Sequence, residues 1–569
     1  MGKSIICSTL LVEKSPQALP LGAACIASSL KHSPFLKDFS VKLLYQSLEE
    51  KFTLPEKIVS FGKVDYLILS VFVWNRKELE DVALYVKKIF PETVVIAGGP
   101  EVTSSVKPFK NFDWCVKGFG EEAVLSLIIL LEKYGKDILK IKESLPEGVF
   151  KNDEFFLGKG KRTQPVNVEK LYSPYLDGTL PVKEFEGSLW ELARGCPFNC
   201  SYCYESRGEK KIQYFPEERL VKELQFFKKE KIRQVFVLDP TYNINKERSI
   251  HLINLIEKYA PQIFFYFEVR AEFIDRALSK AFTKIPCALQ IGLQSSNLQV
   301  LKNVNRTFDE KKFKRNVGYL NEEGVVFGFD LIYGLPGDNL EGFKKSIDFA
   351  LSLYPNNLET FPLSVLPGTD LYEKSPSFFL EFQEKPPYHL IKSNTFSEKE
   401  MKKAQMLSFS VNLFYNQGRA VSWFLSAAKF LNKRPSVLLE EFYIWFVENK
   451  NNGKNPFQDE CLNFSHSQIE KIQIEFFREV FKSKSKEKFF TPFSDLIKFY
   501  GAVSRVSFDF IEETVSFSYS PDELSTPYAL DIKFFAEHFK KNPCRVKFFL
   551  KEFDSSGKKD VFWKILPRN

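Results

Sequence analysis

From residue 4 to about 134, short apolar runs alternate with amphipathic stretches: "SIICSTLLV", "VKLLYQ", "DYLILSVFV", "TVVIAGG" and "DWCVKG", with helical spacing between them. Strands that are apolar throughout, separated by helices, predict a parallel sheet covered on both faces. The N-terminal "SIICSTLLVEKSPQALPLGAACIASSL" reads within this scheme as a buried strand, a loop and a helix, because Glu13 and Lys14 split what would be a signal peptide's apolar stretch. Residues 135–187 form a linker with one hairpin, "GVFKNDEFFLG", and with Pro165, Pro174 and Pro181 marking a chain that crosses between domains.

Six further strand-like runs follow, each separated from the next by a helical stretch. They are "SLWELAR" (188–194), "RQVFVLD" (233–239), "FFYFEVR" (264–270), "CALQIGLQ" (287–294), "VFGFDLIYG" (326–334) and "LETFPLSVL" (358–366). Strand plus helix, six times over, predicts an open or partial parallel barrel with its working face at the C-terminal strand ends. Beyond about residue 375, segments such as "QMLSFSVNLFYNQ" and "LLEEFYIWFVE" have the spacing of core helices. The expected organisation is therefore α/β: residues 1–134, a linker over 135–187, a barrel over 188–375, and a mostly helical domain over 376–569.

Composition narrows the class. With 569 residues, 44% hydrophobic and 27% charged, the chain is ordinary globular protein. The net charge of +8 is small for this size and its lysines are scattered; the short runs "GKGKR" (158–162) and "KSKSKEK" (482–488) read as solvated linkers. No specific nucleic-acid partner is expected. No run reaches the roughly 18 apolar residues of a membrane span, the nearest being "AVLSLIILL" at 123–131. The nine cysteines are odd in number, so a disulfide framework is not expected and a cytoplasmic location is.

Three of those cysteines crowd into "RGCPFNCSYC", as Cys196, Cys200 and Cys203, at the end of the first barrel strand. Gly195 and Pro197 keep the segment out of a helix and let three thiolates converge on a metal cluster. Structural zinc calls for four ligands, and the other cysteines (7, 25, 115, 287, 461, 544) are single and mostly in apolar runs. Three ligands with a vacancy suit an iron-sulfur cluster that leaves one iron open.

The pattern Cys-x-x-x-Cys-x-aromatic-Cys resembles the signature of the radical S-adenosylmethionine (SAM) superfamily. "FEVRAE", "IGLQSSNLQVLKNVNR", "DLIYGLPGD" and "LSVLPGT" on the later strands agree with it. The resemblance implies a 4Fe-4S cluster whose open iron is chelated by SAM, reductive cleavage of SAM, and an electron donor such as flavodoxin or ferredoxin. It places Glu268, Arg270, Gln294 and Ser295 against the ribose and methionine parts of SAM, and Tyr202 against adenine. By their positions alone, Glu268 and Arg270 could equally pair with each other, and Gln294 and Ser295 could satisfy a strand end.

In the first domain the residues at the strand ends are Ser70, Gly98, Gly99, Gly118, Gly120 and Glu121. "GFGEEA" (118–123) matches the dinucleotide fingerprint only superficially, and its glycines could simply allow tight turns. Ser70 with Phe72, then Gly98-Gly99, then the glycine turn resembles the cobalamin-binding domain of the methylmalonyl-mutase and methionine-synthase type. That family's Asp-x-His-x-x-Gly loop is absent, the loop reading "EKSPQALPLG", so a histidine ligand to cobalt is not expected; His32 lies past the following helix and is expected to cap it. Together the two resemblances, over roughly residues 1–375, imply a cobalamin-dependent radical SAM enzyme that methylates an unactivated centre of a small or lipid-like substrate. A non-methylating or tRNA-modifying enzyme, and a non-catalytic cobalamin or redox sensor, are the alternatives. The last domain resembles the uncharacterised domain that trails some such proteins.

Overall fold

A computed structural model describes residues 2–135, 137–154, 162–450, 463–552 and 559–567. The chain forms two compact units: Met1–Gln290 with Lys302–Val325 and Leu363–Asn394, and Ile291–Leu301 with Val326–Pro362 and Thr395–Asn569.

The first unit opens with strands β1 (Ser4–Leu11), β2 (Ser40–Ser47), β3 (Tyr66–Ser70), β4 (Val94–Gly98), β5 (Trp114–Val116) and β6 (Val149–Lys151). They lie in the order β2-β1-β3-β4-β5-β6, parallel except for β6. This 2-1-3-4-5 order is a doubly wound one, whose ligand crevice lies at the C-terminal strand ends. Both faces are covered, which is why these strands are apolar at successive positions. Ile5, Cys7, Ile68 and Ile96 pack on the helices Leu21–Lys31 and Glu121–Tyr134, whereas Ile6, Leu67, Leu69 and Val95 pack on Thr53–Ser60 and Arg76–Ile89. The hairpin expected over 148–158 falls partly outside the described residues. Its first arm, β6, pairs antiparallel with β5, and residues 155–158, with most of the "GKGKR" run, lie outside the described residues.

Next come β7 (Gly187–Trp190), β8 (Ala193–Arg194), β9 (Gln213–Tyr214), β10 (Gln234–Val237), β11 (Phe264–Val269) and β12 (Cys287–Gln294), the last crossing the unit boundary after Gln290. "SLWELAR" is two strands rather than one: β7 pairs parallel with β10, while β8 turns away to pair antiparallel with β9. The break has a local cause. The Leu192 and Ala193 N–H groups donate to Asp239 Oδ1 at 2.8 and 3.0 Å, out of reach of a ladder partner. The segment Leu363–Asn394 belongs to this unit and carries the short pair β15 (Glu381–Phe382) and β16 (Leu390–Lys392), which follow β13 (Val326–Tyr333) and β14 (Asn357–Pro362) in the chain.

In the first unit β11, β10 and β7 lie side by side and parallel. In the second unit β13 and β14 pair in parallel. Helices Glu398–Ser410, Pro435–Asn449, His466–Ser483 and Phe490–Ser504 follow. Their core is aromatic: Phe414 contacts Trp423, Phe442, Phe476 and Phe477 at centroid distances of 4.8–6.1 Å. Strands accompany the helices of this mostly helical region. β17 (Glu513–Phe517), β18 (Cys544–Glu552) and β19 (Lys559–Leu566) form an antiparallel sheet with one polar face, as the alternation in "ETVSF" and "RVKF" permits.

Candidate functional site

The cysteine loop is built from the strand break outward. Arg194, at the end of β8, is gripped by Glu191 through two bonds of 3.1 and 2.9 Å and by Glu121 at 2.8 Å. Gly195 adopts φ +105°, and a side chain there would lie 2.6 Å from the Lys211 carbonyl oxygen, so the turn into the cysteines requires glycine. The Cys196 N–H donates to the Glu209 carbonyl (2.9 Å), the Cys203 N–H to that of Cys200 (3.1 Å), and the Ser201 N–H to that of Val304 (3.1 Å). Cys196 and Cys200 are buried and Cys203 is partly exposed. Burial raises the Cys196 thiol pKa.

Among the described residues, no three His, Cys, Asp or Glu side chains converge on a single ion. A cluster takes each thiolate at a different iron, so three cysteines spread along a pinned loop fit it where they would not fit one zinc.

The residues expected around SAM sit at strand ends, with individual surroundings. The Tyr202 hydroxyl accepts from Arg306 (3.1 Å), and burial pushes its pKa up to about 12. Arg270 does not pair with Glu268: it donates to Glu272 at 2.6 Å, and its guanidinium lies 3.9 Å over the Phe198 ring. Glu268 is solvent-accessible, yet enough protein surrounds its carboxyl for desolvation, with Glu205 adding repulsion, to raise its pKa. In the second unit, Gln294 holds φ +68° and its buried Oε1 has no hydrogen-bond partner among the described residues. Ser295 is fully buried, its hydroxyl accepting from the Asn297 N–H (3.1 Å) and lying 3.4 Å from that of Ser346. A strained glutamine with an unpartnered oxygen is suited to receiving a donor from a ligand.

At the first sheet's edge the β3–β4 register sets Ser70 opposite Gly98. Among the described residues the Ser70 hydroxyl has no hydrogen-bond partner, and a side chain at Gly98 would meet nothing nearer than 3.7 Å. Those two residues fit a cradle for a ligand. The other glycines lie close against the chain itself. A Cβ at Gly99, Gly118 or Gly120 would meet Val71 O, Thr163 Oγ1 or Ile26 Cδ1 at 2.5–2.7 Å. Glu121 is buried and accepts a bond from Arg194 at 2.8 Å. His32 ends the helix Leu21–Lys31, with its ring on Tyr172 (3.9 Å) and Nδ1 3.0 Å from the Ser28 carbonyl.

Two residues that shape the site were not singled out from sequence. Asp239 breaks the first barrel strand; a carboxylate ending "RQVFVLD" was its one signal. Asn243 pairs with the Arg270 backbone through two 2.9 Å bonds, a contact across 27 residues that no local pattern announces.

Comparison with known proteins agrees with this geometry. Residues 190–350 match the family described as the radical SAM superfamily. The cobalamin-dependent radical SAM methyltransferase TokK of Streptomyces tokunonensis is 25% identical over 338 residues, 54% of this chain; the chain spans only 48% of TokK's length. The solved structure of OxsB, a cobalamin-dependent SAM radical enzyme, with aqua-cobalamin and SAM superposes with a TM-score of 0.57 at 14% identity, over 85% of this chain and 80% of that one. The radical SAM methyltransferase TsrM of Kitasatospora setae, solved with cobalamin and a 4Fe-4S cluster, gives 0.54 at 14%, over 68% and 78%. Residues 190–350 are thus a radical SAM domain, in a chain similar to the cobalamin-dependent radical SAM methyltransferase TokK, the radical SAM methyltransferase TsrM and the cobalamin-dependent SAM radical enzyme OxsB.

Proposed function

We propose that this chain is an enzyme that holds a 4Fe-4S cluster on Cys196, Cys200 and Cys203, cleaves SAM reductively, and methylates an unactivated carbon or phosphorus centre of a small or lipid-like substrate. The observation that carries this reading is the pinned three-cysteine loop after the first strand of the parallel sheet. When bound, the cluster supplies the electron that breaks the sulfonium bond, and cobalamin carries the methyl group. The chain's own part is to hold and orient. Glu268 and Arg270, and Gln294 and Ser295, meet the ribose and methionine parts of SAM; Tyr202 lies against adenine. Ser70, Gly98, Gly99, Gly118, Gly120 and Glu121 border the cobalamin site of a flavodoxin-like domain over 1–134, and no histidine reaches the cobalt. Residues 188–375 serve as a partial six-fold barrel, residues 376–569 as a trailing domain, and a cytoplasmic flavodoxin or ferredoxin as electron donor.

Anaerobic reconstitution tests the core of this reading. The protein should take up about four irons and, once reduced, convert SAM to 5′-deoxyadenosine. Cys200→Ala should lose both; a variant that stays brown and active refutes the ligand assignment. Replacing His32 should leave the cobalt spectrum unchanged. Metabolites of cells with and without the protein should differ by a pair of compounds one methyl group apart, whereas a changed tRNA nucleoside would overturn the small-molecule substrate.

A further inference from the structure

The short helix Pro100–Ser104 follows Gly98-Gly99 and stands at a junction within the first unit. The Thr103 hydroxyl accepts from the Gly118 N–H (3.0 Å) and donates to the Gly99 carbonyl (2.9 Å). Glu101, 3% exposed, accepts from Arg76 (2.9 Å) and from the hydroxyl of buried Tyr388 (2.6 Å), 287 residues away in sequence. Gly368, at φ +77°, lies against Ser104 so closely that a Cβ would come within 2.9 Å of the Ser104 carbonyl oxygen. Three residues on, the Leu371 N–H donates to the Ser201 carbonyl at 2.9 Å, between Cys200 and Tyr202. One segment, Leu363–Asn394, therefore holds the helix at the glycine edge with one part and the cysteine loop with another.

The geometry points to Leu363–Asn394 as a positioning strap that fixes the cysteine loop relative to the glycine edge of the N-terminal sheet, with Gly368 and Tyr388 as its positioning residues. The strap needs no ligand to be present. Its purpose, setting the separation between the two cofactors, rests on the function proposed above. Both anchors are buried contacts, so neither depends on a long exposed side chain. Burial and the adjacent Glu101 carboxylate raise the Tyr388 pKa, which keeps its hydroxyl protonated and donating. The exposed Lys107–Glu384 pair, at 3.8 Å, joins the same two regions at the surface and serves as a control.

Two measurements on the full chain test the strap. Hydrogen exchange on Tyr388→Phe and Gly368→Ala should accelerate about tenfold in the peptides covering 98–104 and 196–204, while Lys107→Ala behaves as wild type. Acceleration confined to 363–394 overturns the strap. In protein loaded with cluster and cobalamin, pulsed electron paramagnetic resonance of the reduced cluster and cob(II)alamin should show a shifted or broadened dipolar coupling in Tyr388→Phe. An unchanged coupling overturns the positioning role. If the wild type takes up neither cofactor, the proposed function fails, and the exchange experiment still decides the strap by itself.

Discussion

Asp239 offers a sharp test of how the cysteine loop is founded. Its carboxyl is 4% exposed, accepts two backbone N–H bonds from Leu192 and Ala193, and is pushed by burial from 3.8 up to about 7, against the pull of those N–H groups and of Arg248. Because the folded pKa lies above the unfolded one, the folded chain holds the extra proton between about pH 4 and 7. Stability from this group is therefore full at low pH and falls as pH rises through that window. At ~1.4 kcal/mol per pH unit, with the slope halving near the folded pKa, the loss from pH 5 to 7 is about 2 kcal/mol. Asp239→Asn keeps the oxygen that accepts both N–H bonds and removes the titration. The comparison to make is the thermal midpoint of wild type and variant at pH 5 and pH 7. The difference should move by several degrees in favour of the asparagine at the higher pH. Asp239→Ala should lower the midpoint at both, since two buried N–H groups lose their acceptor. If the wild-type and asparagine midpoints fall in parallel, Asp239 does not titrate in the folded chain and the reasoning is wrong.

Other outcomes follow from single contacts. Gly98→Leu should fold like wild type and lose cobalamin uptake, because only ordinary contacts surround that position; Gly99→Ala should unfold more easily by about 1–3 kcal/mol, its φ of +101° and its 2.7 Å approach to Val71 leaving no room. Trp190→Phe should cost about 2 kcal/mol, read as a lowered midpoint, since it removes the Nε1 donor 2.8 Å from buried Glu223. His466 is held down to about 4 by burial and by Arg419 and Arg505. The unfolded chain therefore takes up the proton first, and stability should fall as pH drops from 6.5 towards 4. His466→Gln should flatten that part of the profile, and an unchanged profile would count against the assignment.

Along the sequence, what could be read was whatever depends on neighbours a few residues apart. Apolar runs such as "YLILS" and "VVIAG" marked strands because both of their faces are buried, and "RGCPFNCSYC", with its glycine and proline, marked a loop. The strand break at Leu192 could not be read that way, because it is made by Asp239, 47 residues on. The partner of Arg270 was a matter of side-chain rotation: Glu268 and Glu272 are equally near in sequence, and folding chose Glu272. The Arg194 partner of Glu121 lies 73 residues away, and no local pattern announced it. The strands β17 to β19 were hidden by lysine-rich alternation that also suits an exposed helix, and only pairing over Glu513–Leu566 resolves it. Local spacing fixes which backbone shape is cheap and which atoms are offered. Which of those atoms are already taken is decided by burial and by long-range partners, because a buried polar group must find its bond wherever the fold has put one.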